Sequence, residues 1–209
     1  MQPMYRSSLS FEPIKLREAR IAVVSPDDLP PRTPFRGSVR FADLSRESEL
    51  AAIKAMNMLF WGELEQSAFG RTYDVLKCEN MLAIPLPDEP EATNDRLMGI
   101  AGNVAIKSED EGFLHIVVFQ VWPEWHGRGV GRRLLDEAIV QARLRGHPCI
   151  KLETTNDNIP AIYFYQRVGF VIDEVIAAGF AEEHEVEPGG FAGIPVRDEI
   201  RFRLDLKER

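Results

Sequence analysis

The chain has 209 residues, 44% hydrophobic and 28% charged, enough for one sizeable packed core without forcing a second domain. Its net charge of -8 argues against nucleic acid as a main partner, because neutralising phosphates takes clustered Lys and Arg. No apolar run nears the roughly 20 residues that cross a bilayer, and the opening stretch lacks an apolar segment of signal length, so no membrane partner and a cytoplasmic location are expected.

Residues 1–37 read as an N-terminal extension. Four prolines crowd into Ser25–Pro34, which no helix or central strand tolerates, although Ile14–Val24 ahead of them has strand character. From Ser38 to residue 209 the pattern is regular. Val39–Phe41 alternates like a short strand, and Ser45 is placed to cap a helix running to about Leu59. Tyr73–Ile84 and Leu97–Ile106 read as strands, separated by a turn-rich segment over Pro85–Asp95. Phe113–Val121 is apolar on both faces, as a central strand is, and Pro123 ends it. Val130–Arg145 is the clearest helix, with Val130, Leu134, Ala138 and Ala142 on one stripe beside Leu135 and Ile139; Gly146 stands where a left-handed C-cap belongs. Ile150 and Leu152 mark another strand. Asn158 can cap a helix carrying Ala161, Phe164, Tyr165 and Val168 on one face, ended by Gly169. Phe170–Ala177 and Val196–Leu206 supply the last strands. This order predicts one α/β domain around a mixed sheet. Cys78 and Cys149 lie far apart without metal-ligand spacing, so buried reduced thiols are expected and no metal site.

The segment Val121-Trp122-Pro123-Glu124-Trp125-His126-Gly127-Arg128-Gly129-Val130-Gly131-Arg132 joins a central strand to a strong helix. Its glycines let backbone amides crowd toward a ligand without Cβ interference. Those amides open a helix, where free N–H groups and the positive dipole end favour an anion, and Arg128 and Arg132 add charge. A phosphate or pyrophosphate is the natural tenant. A nucleoside triphosphate would want Gly-Lys-Ser/Thr at the loop's end, where Gly131-Arg132-Arg133 stands. A nicotinamide dinucleotide would want a third glycine at position 132, although Glu153 imitates the ribose-binding acid of that fold. The glycines can also simply shape a turn.

Coenzyme A is the third tenant, and here a resemblance enters. Val121-x-Pro123-Glu124-x-His126-Gly127-Arg128-Gly129-Val130-Gly131-x-x-Leu134-Leu135 resembles the acetyl-CoA motif of the GCN5-related N-acetyltransferase (GNAT) superfamily. His126 departs from the Arg or Gln that usually opens it. Asn158-x-x-Ala161-x-x-Phe164-Tyr165-x-x-x-Gly169-Phe170 resembles the family's second motif. The match covers about Leu114 to Phe170; residues 1–37 lie outside it. The resemblance implies a single-domain fold over 38–209, a mixed, mostly antiparallel sheet splayed at the cofactor site and flanked by helices. It implies an acetyl-CoA-dependent N-acetyltransferase acting on a primary amine by direct attack in a ternary complex, and a homodimer. A non-catalytic acyl-CoA-binding sensor or scaffold stands as the alternative.

By the same resemblance, Gly127, Arg128, Gly129, Val130, Gly131, Arg132 and Asn158 would hold the cofactor. The Val121 N–H would donate to the thioester carbonyl, and Tyr165 would protonate the leaving thiolate; the other reading of Tyr165 is a core aromatic, and of Asn158 a helix cap. His115 falls where some members place their general base, but a lone His in an apolar strand is as readily a core residue, and Glu153 is the second candidate. Glutamates 182, 183, 185 and 187, in the loop after Gly179, could draw a cationic amine or form a solvated surface. Trp61, Trp122 and Trp125 could line an acceptor pocket or pack the core. A small cationic amine is favoured slightly over a protein amine.

Overall fold

The computed structural model describes residues 33–89, 99–180 and 190–206. The strand expected at Ile14–Val24 and the four loop glutamates lie outside the described residues. The elements are β1 (Gly37–Phe41), α1 (Glu47–Phe60), β2 (Glu65–Ala68), β3 (Arg71–Asp74), β4 (Glu79–Pro85), β5 (Gly102–Ser108), β6 (Leu114–Val121), α2 (Val130–Leu144), β7 (Cys149–Thr155), α3 (Ile159–Arg167), β8 (Val171–Ile176) and β9 (Glu199–Asp205). Seven strands form one sheet in the order β1-β4-β5-β6-β7-β9-β8, and β2 with β3 makes a separate hairpin. Every neighbour in the large sheet is antiparallel except β6 and β7. The mixed, mostly antiparallel sheet expected from the sequence is the sheet found.

Burial shows which residues hold it together. Met81, Leu82 and Ala83 on β4, and Val104, Ala105 and Ile106 on β5, are inaccessible on both faces. A helix covers each side. From α1 come Ala52, Ile53 and Met56; from α2 come Leu134, Leu135, Ala138 and Ala142. Burying one such leucine contributes about 1.5–3 kcal/mol. Gly102 tells the two faces apart, since a Cβ there would meet Leu134 Cδ1 at 3.0 Å. Gly102 and Val104, with their partners Val121 and Phe119, therefore look toward α2. Asn103 and its partner Gln120 look the other way, where Trp61 at the end of α1 donates its indole N–H to Gln120 Oε1 at 3.2 Å.

The sheet opens at a defined place. Ala105 pairs with Val118 and Ile106 with Ile116, so Val117 is an extra, bulged residue on β6. A bulge shifts the alternation and strengthens the twist, which puts His115 on the Gln120 face. Next to it, β6 and β7 pair only at Leu114↔Ile150 and His115↔Lys151. Beyond the bulge the two strands part, and a gap runs between Phe119–Val121 and the end of β7.

Two local expectations are corrected, and one element was not expected. Ser45 does not cap α1: its hydroxyl donates to Asp43 Oδ1 at 2.6 Å, and Arg46 takes the cap position without a side-chain bond. Glu49 instead gathers this corner, accepting from both Arg40 Nη atoms at 2.8 and 2.9 Å and from the Asp43 N–H at 2.9 Å. Tyr73–Ile84 is not one strand, because Asp74 caps a 3-10 turn over Val75–Lys77 that separates β3 from β4. The β2–β3 hairpin had no sequence signal: its two-residue turn is Phe69-Gly70, both at positive φ (50° and 68°), a conformation Asn-Gly usually announces.

Candidate active site

The glycine loop is built as the sequence implies. After Val121 a 3-10 turn over Pro123–Trp125 reverses the chain, Gly127 and Gly129 take φ of 72° and 89°, and α2 begins at Val130. The first intrahelical bond beyond the loop runs from the Arg133 N–H to Gly129 O at 3.0 Å. The amides of Val130, Gly131 and Arg132 thus precede any intrahelical acceptor and point out along the axis, a cradle that fits an anionic group. Gly131 lies close under two rings: a Cβ there would be in ordinary van der Waals contact with Phe164 and Phe119, at 3.4 and 3.5 Å.

The two arginines differ from one another. Arg132 is exposed and bonds Asp136 Oδ1 at 2.8 Å through Nε. Arg128 is buried, so the free positive charge expected from it is not there: Nη2 contacts the Glu89 carboxylate, Nε donates to Thr33 O at 2.8 Å, and the guanidinium lies 4.3 Å over the Trp125 ring. Its backbone is committed as well, the N–H donating to Trp125 O at 3.4 Å and the carbonyl accepting from the Phe35 N–H at 2.8 Å. Trp122 and Trp125 are 2% and 1% exposed and pack the core, Trp122 against Phe60 and Trp125 against Phe35. Trp61 is 39% exposed.

Val121 sits at the mouth of the gap. The Trp122 N–H bonds Ala101 O on the β5 side at 3.0 Å, and alternation turns the N–H and C=O of Val121 to the opposite, open edge. His126 Nε2–H donates to the Val121 carbonyl at 2.8 Å and fixes that last peptide. In the sequence His126 stands out only as a departure from a motif.

Tyr165 and Asn158 come from α3. Asn158 caps it, its Oδ1 accepting from the Ala161 N–H at 3.3 Å. The Tyr165 ring packs against Phe119 of β6 and Phe202 of β9 at 6.0 and 5.7 Å, and so lies across β7 on the α2 face. Burial pushes its phenol above the usual tyrosine range, so it keeps its proton.

The opposite face carries the two base candidates. His115 is fully buried, with its ring edge-on to Phe69 and Tyr73 at 5.0 and 4.9 Å and Nδ1 3.4 Å from Glu109 Oε1 without hydrogen-bond geometry. Burial, reinforced by Arg71, pushes it down to about 3. A neutral imidazole that resists protonation this strongly is a poor proton acceptor. Glu153 lies two residues beyond the last β6–β7 pair, at the edge of the gap, and accepts from the Phe69 N–H at 2.9 Å. Burial, then its hydrogen bond with Glu199, pushes its carboxyl up to about 8, against the opposing pull of the Phe69 amide and Arg201. A cavity of about 200 Å³ lined by Phe69, Arg71, Tyr73, Glu111, Phe113, Lys151 and Arg201 opens on this face. Cys78 and Cys149 are free and buried. Among the described residues no group of three His, Cys, Asp or Glu is disposed to hold a metal, and no helix is long and apolar enough to cross a membrane.

The acetyltransferase (GNAT) family profile matches residues 59–170, and the chain belongs to that family. Streptothricin acetyltransferase of Streptomyces lavendulae is 41% identical over 75 residues, 34% of this chain and 40% of that protein. An uncharacterized N-acetyltransferase of Bacillus subtilis is 32% identical over 112 residues, 54% of this chain and 70% of its own length. The match covers 53%, 40% and 24% of the first three curated relatives. A Bacillus subtilis acetyltransferase solved in complex with CoA has the same fold, with TM-score 0.57 and 21% identity over 83% of this chain and 99% of that one. So has the Escherichia coli ribosomal-protein-S18-alanine N-acetyltransferase, with TM-score 0.56 and 16% identity over 83% and 96%.

Proposed function

We propose that the protein transfers acetyl from acetyl-CoA to a primary amine by direct attack in a ternary complex, with a small cationic amine as acceptor. The observation that carries this reading is the pairing of an anion cradle at the start of α2 with a gap between β6 and β7 that has Tyr165 on one face and Glu153 on the other. Acetyl-CoA supplies an activated thioester carbonyl. The loop from Gly127 to Arg132 holds its pyrophosphate on backbone amides and the Arg132 guanidinium. The open edge of β6 offers the Val121 N–H to the carbonyl, a donor of a kind that contributes roughly 3–4 kcal/mol in other acyl-transfer sites. Tyr165 keeps a proton for the departing thiolate, and Glu153, rather than His115, takes one from the amine. Acid and base stand on opposite faces, so the two substrates can approach from opposite sides.

The acceptor assignment is supported by the match to an acetyltransferase named for streptothricin. A cytoplasmic homodimer belongs to the same proposal; β8 is an edge strand with Val171, Ile172 and Val175 exposed, a surface suited to a second copy. Thiol release from acetyl-CoA against a panel of amines tests the activity. Turnover with one acceptor class, slowed at least about tenfold in kcat by Tyr165→Phe, is the expected result. Tight coenzyme A binding without turnover on any amine would mark a sensor instead, and no binding would refute the proposal.

A further inference from the structure

A second set of contacts bears on the glycine loop from outside it. Residues Thr33–Gly37 run alongside the loop: the Phe35 N–H donates to Arg128 O at 2.8 Å, Arg128 Nε donates to Thr33 O at 2.8 Å, and the Phe35 ring meets Trp125 edge-on at 5.7 Å. The turn after β4 closes over the same segment, with the Leu86 N–H donating to Arg36 O at 2.9 Å and the Glu89 N–H to Leu86 O at 3.0 Å. Both converge on one carboxylate. Glu89, with a side chain 2% exposed, takes Arg128 on one oxygen and Arg36 Nε on the other at 3.0 Å.

Such a carboxylate inside a fold needs its partners, and its partners need it. Arg128 stands between Gly127 and Gly129, the two loop residues at positive φ, so whatever fixes its side chain also fixes the peptides on either side. Glycines give the loop its shape and at the same time leave it few internal restraints. The restraint comes instead from a residue 39 positions upstream.

We infer that Glu89 is a positioning residue of the cofactor site: by holding Arg128 it sets the backbone amides of the glycine loop where an anion can use them, and it keeps the Arg128 charge out of the cradle. This rests on reading that loop as the coenzyme A site. The effect is one of pre-organisation. A loop that must be ordered at the moment of binding loses affinity for the ligand, while chemistry on the bound ligand is little changed.

The test compares Glu89→Gln, which removes the charge and keeps the shape, with the unaltered protein. Calorimetry gives the Kd of coenzyme A, and steady-state kinetics gives KM for acetyl-CoA and kcat separately. Glu89→Gln is expected to raise Kd and KM about tenfold, with kcat at saturation within about twofold. Ile53→Val in the core under α1 serves as a control for stability alone and is expected to leave the Kd unchanged. Arg36→Met, which removes only the outer partner, is expected to raise Kd less and in the same direction. Should Glu89→Gln fail to fold, Glu89→Gln/Arg128→Met removes both charges at once and is expected to fold with a raised Kd. Coenzyme A bound by any folded Glu89 variant as tightly as by the parent, or more tightly through a freed Arg128, would overturn the inference. Failure of the parent protein to bind coenzyme A would sink the cofactor reading itself, a distinguishable result.

Discussion

Replacing Glu153 with Gln tests the proton economy of the site. Its carboxyl is pushed up to about 8 by burial and by Glu199, so at neutral pH most of it holds a proton and cannot take one from an amine. The ionised fraction is about one in eleven at pH 7 and about ten in eleven at pH 9, which predicts a rise of about tenfold in kcat/KM across that interval. The acceptor must not titrate in the same range, so hydroxylamine, already neutral there, is the acceptor of choice. Glu153→Gln should lower the plateau by at least about a hundredfold and leave the profile flat. The same group has a signature in stability. A carboxyl whose folded value is raised binds more protons folded than unfolded between about 4.5 and about 8, so its stabilisation is present at low pH and is lost as pH rises through that window. Glu153→Gln should therefore flatten the fall in melting temperature toward pH 9. A wild-type profile already flat from pH 7 to 9, or an alkaline limb that survives in Glu153→Gln, would refute the assignment. A limb near neutrality abolished by His115→Gln would return the role to His115.

Other outcomes follow from single contacts. Gly129→Val places a β-branched residue at φ of 89° and should weaken coenzyme A binding by at least about tenfold, read by calorimetry, while the far-ultraviolet circular dichroism stays unchanged. Leu134→Ala empties a fully buried position between α2 and Gly102 and should cost about 2–5 kcal/mol in urea unfolding, with an unchanged m-value. Asn158→Ala removes the cap of α3 and should cost about 1 kcal/mol; Asn158→Asp, which keeps an acceptor, should recover most of it. Glu49, held down to about 2 chiefly by Arg40, contributes stability that is present above about 4.5 and is lost as pH falls toward 2, so Glu49→Gln should flatten the acid side of the melting-temperature profile.

What the sequence determined by itself is what local physics specifies. The stripe Val130, Leu134, Ala138 and Ala142 can bury only as a helix, Gly146 and Gly169 can end helices because they lack a Cβ, and Asn158 caps because its oxygen reaches the third amide on. The glycine loop was legible for the same reason, since conformational freedom next to a helix start is a property of neighbouring residues. The tertiary structure decided what depends on residues distant in the chain. Val117 becomes a bulge only in register with β5, and that bulge starts the gap. Phe69-Gly70 turns a hairpin that no propensity announced, and the hairpin roofs His115 and bonds Glu153. Burial acts oppositely on the two candidates, pushing the His115 imidazole down and the Glu153 carboxyl up, the latter with Glu199 on β9 adding to the rise. Arg128 reads as a phosphate ligand until Glu89, far upstream, is seen to hold it. Charge in a sequence has a sign but no partner; only packing supplies the dielectric and the neighbour that decide what the charge does.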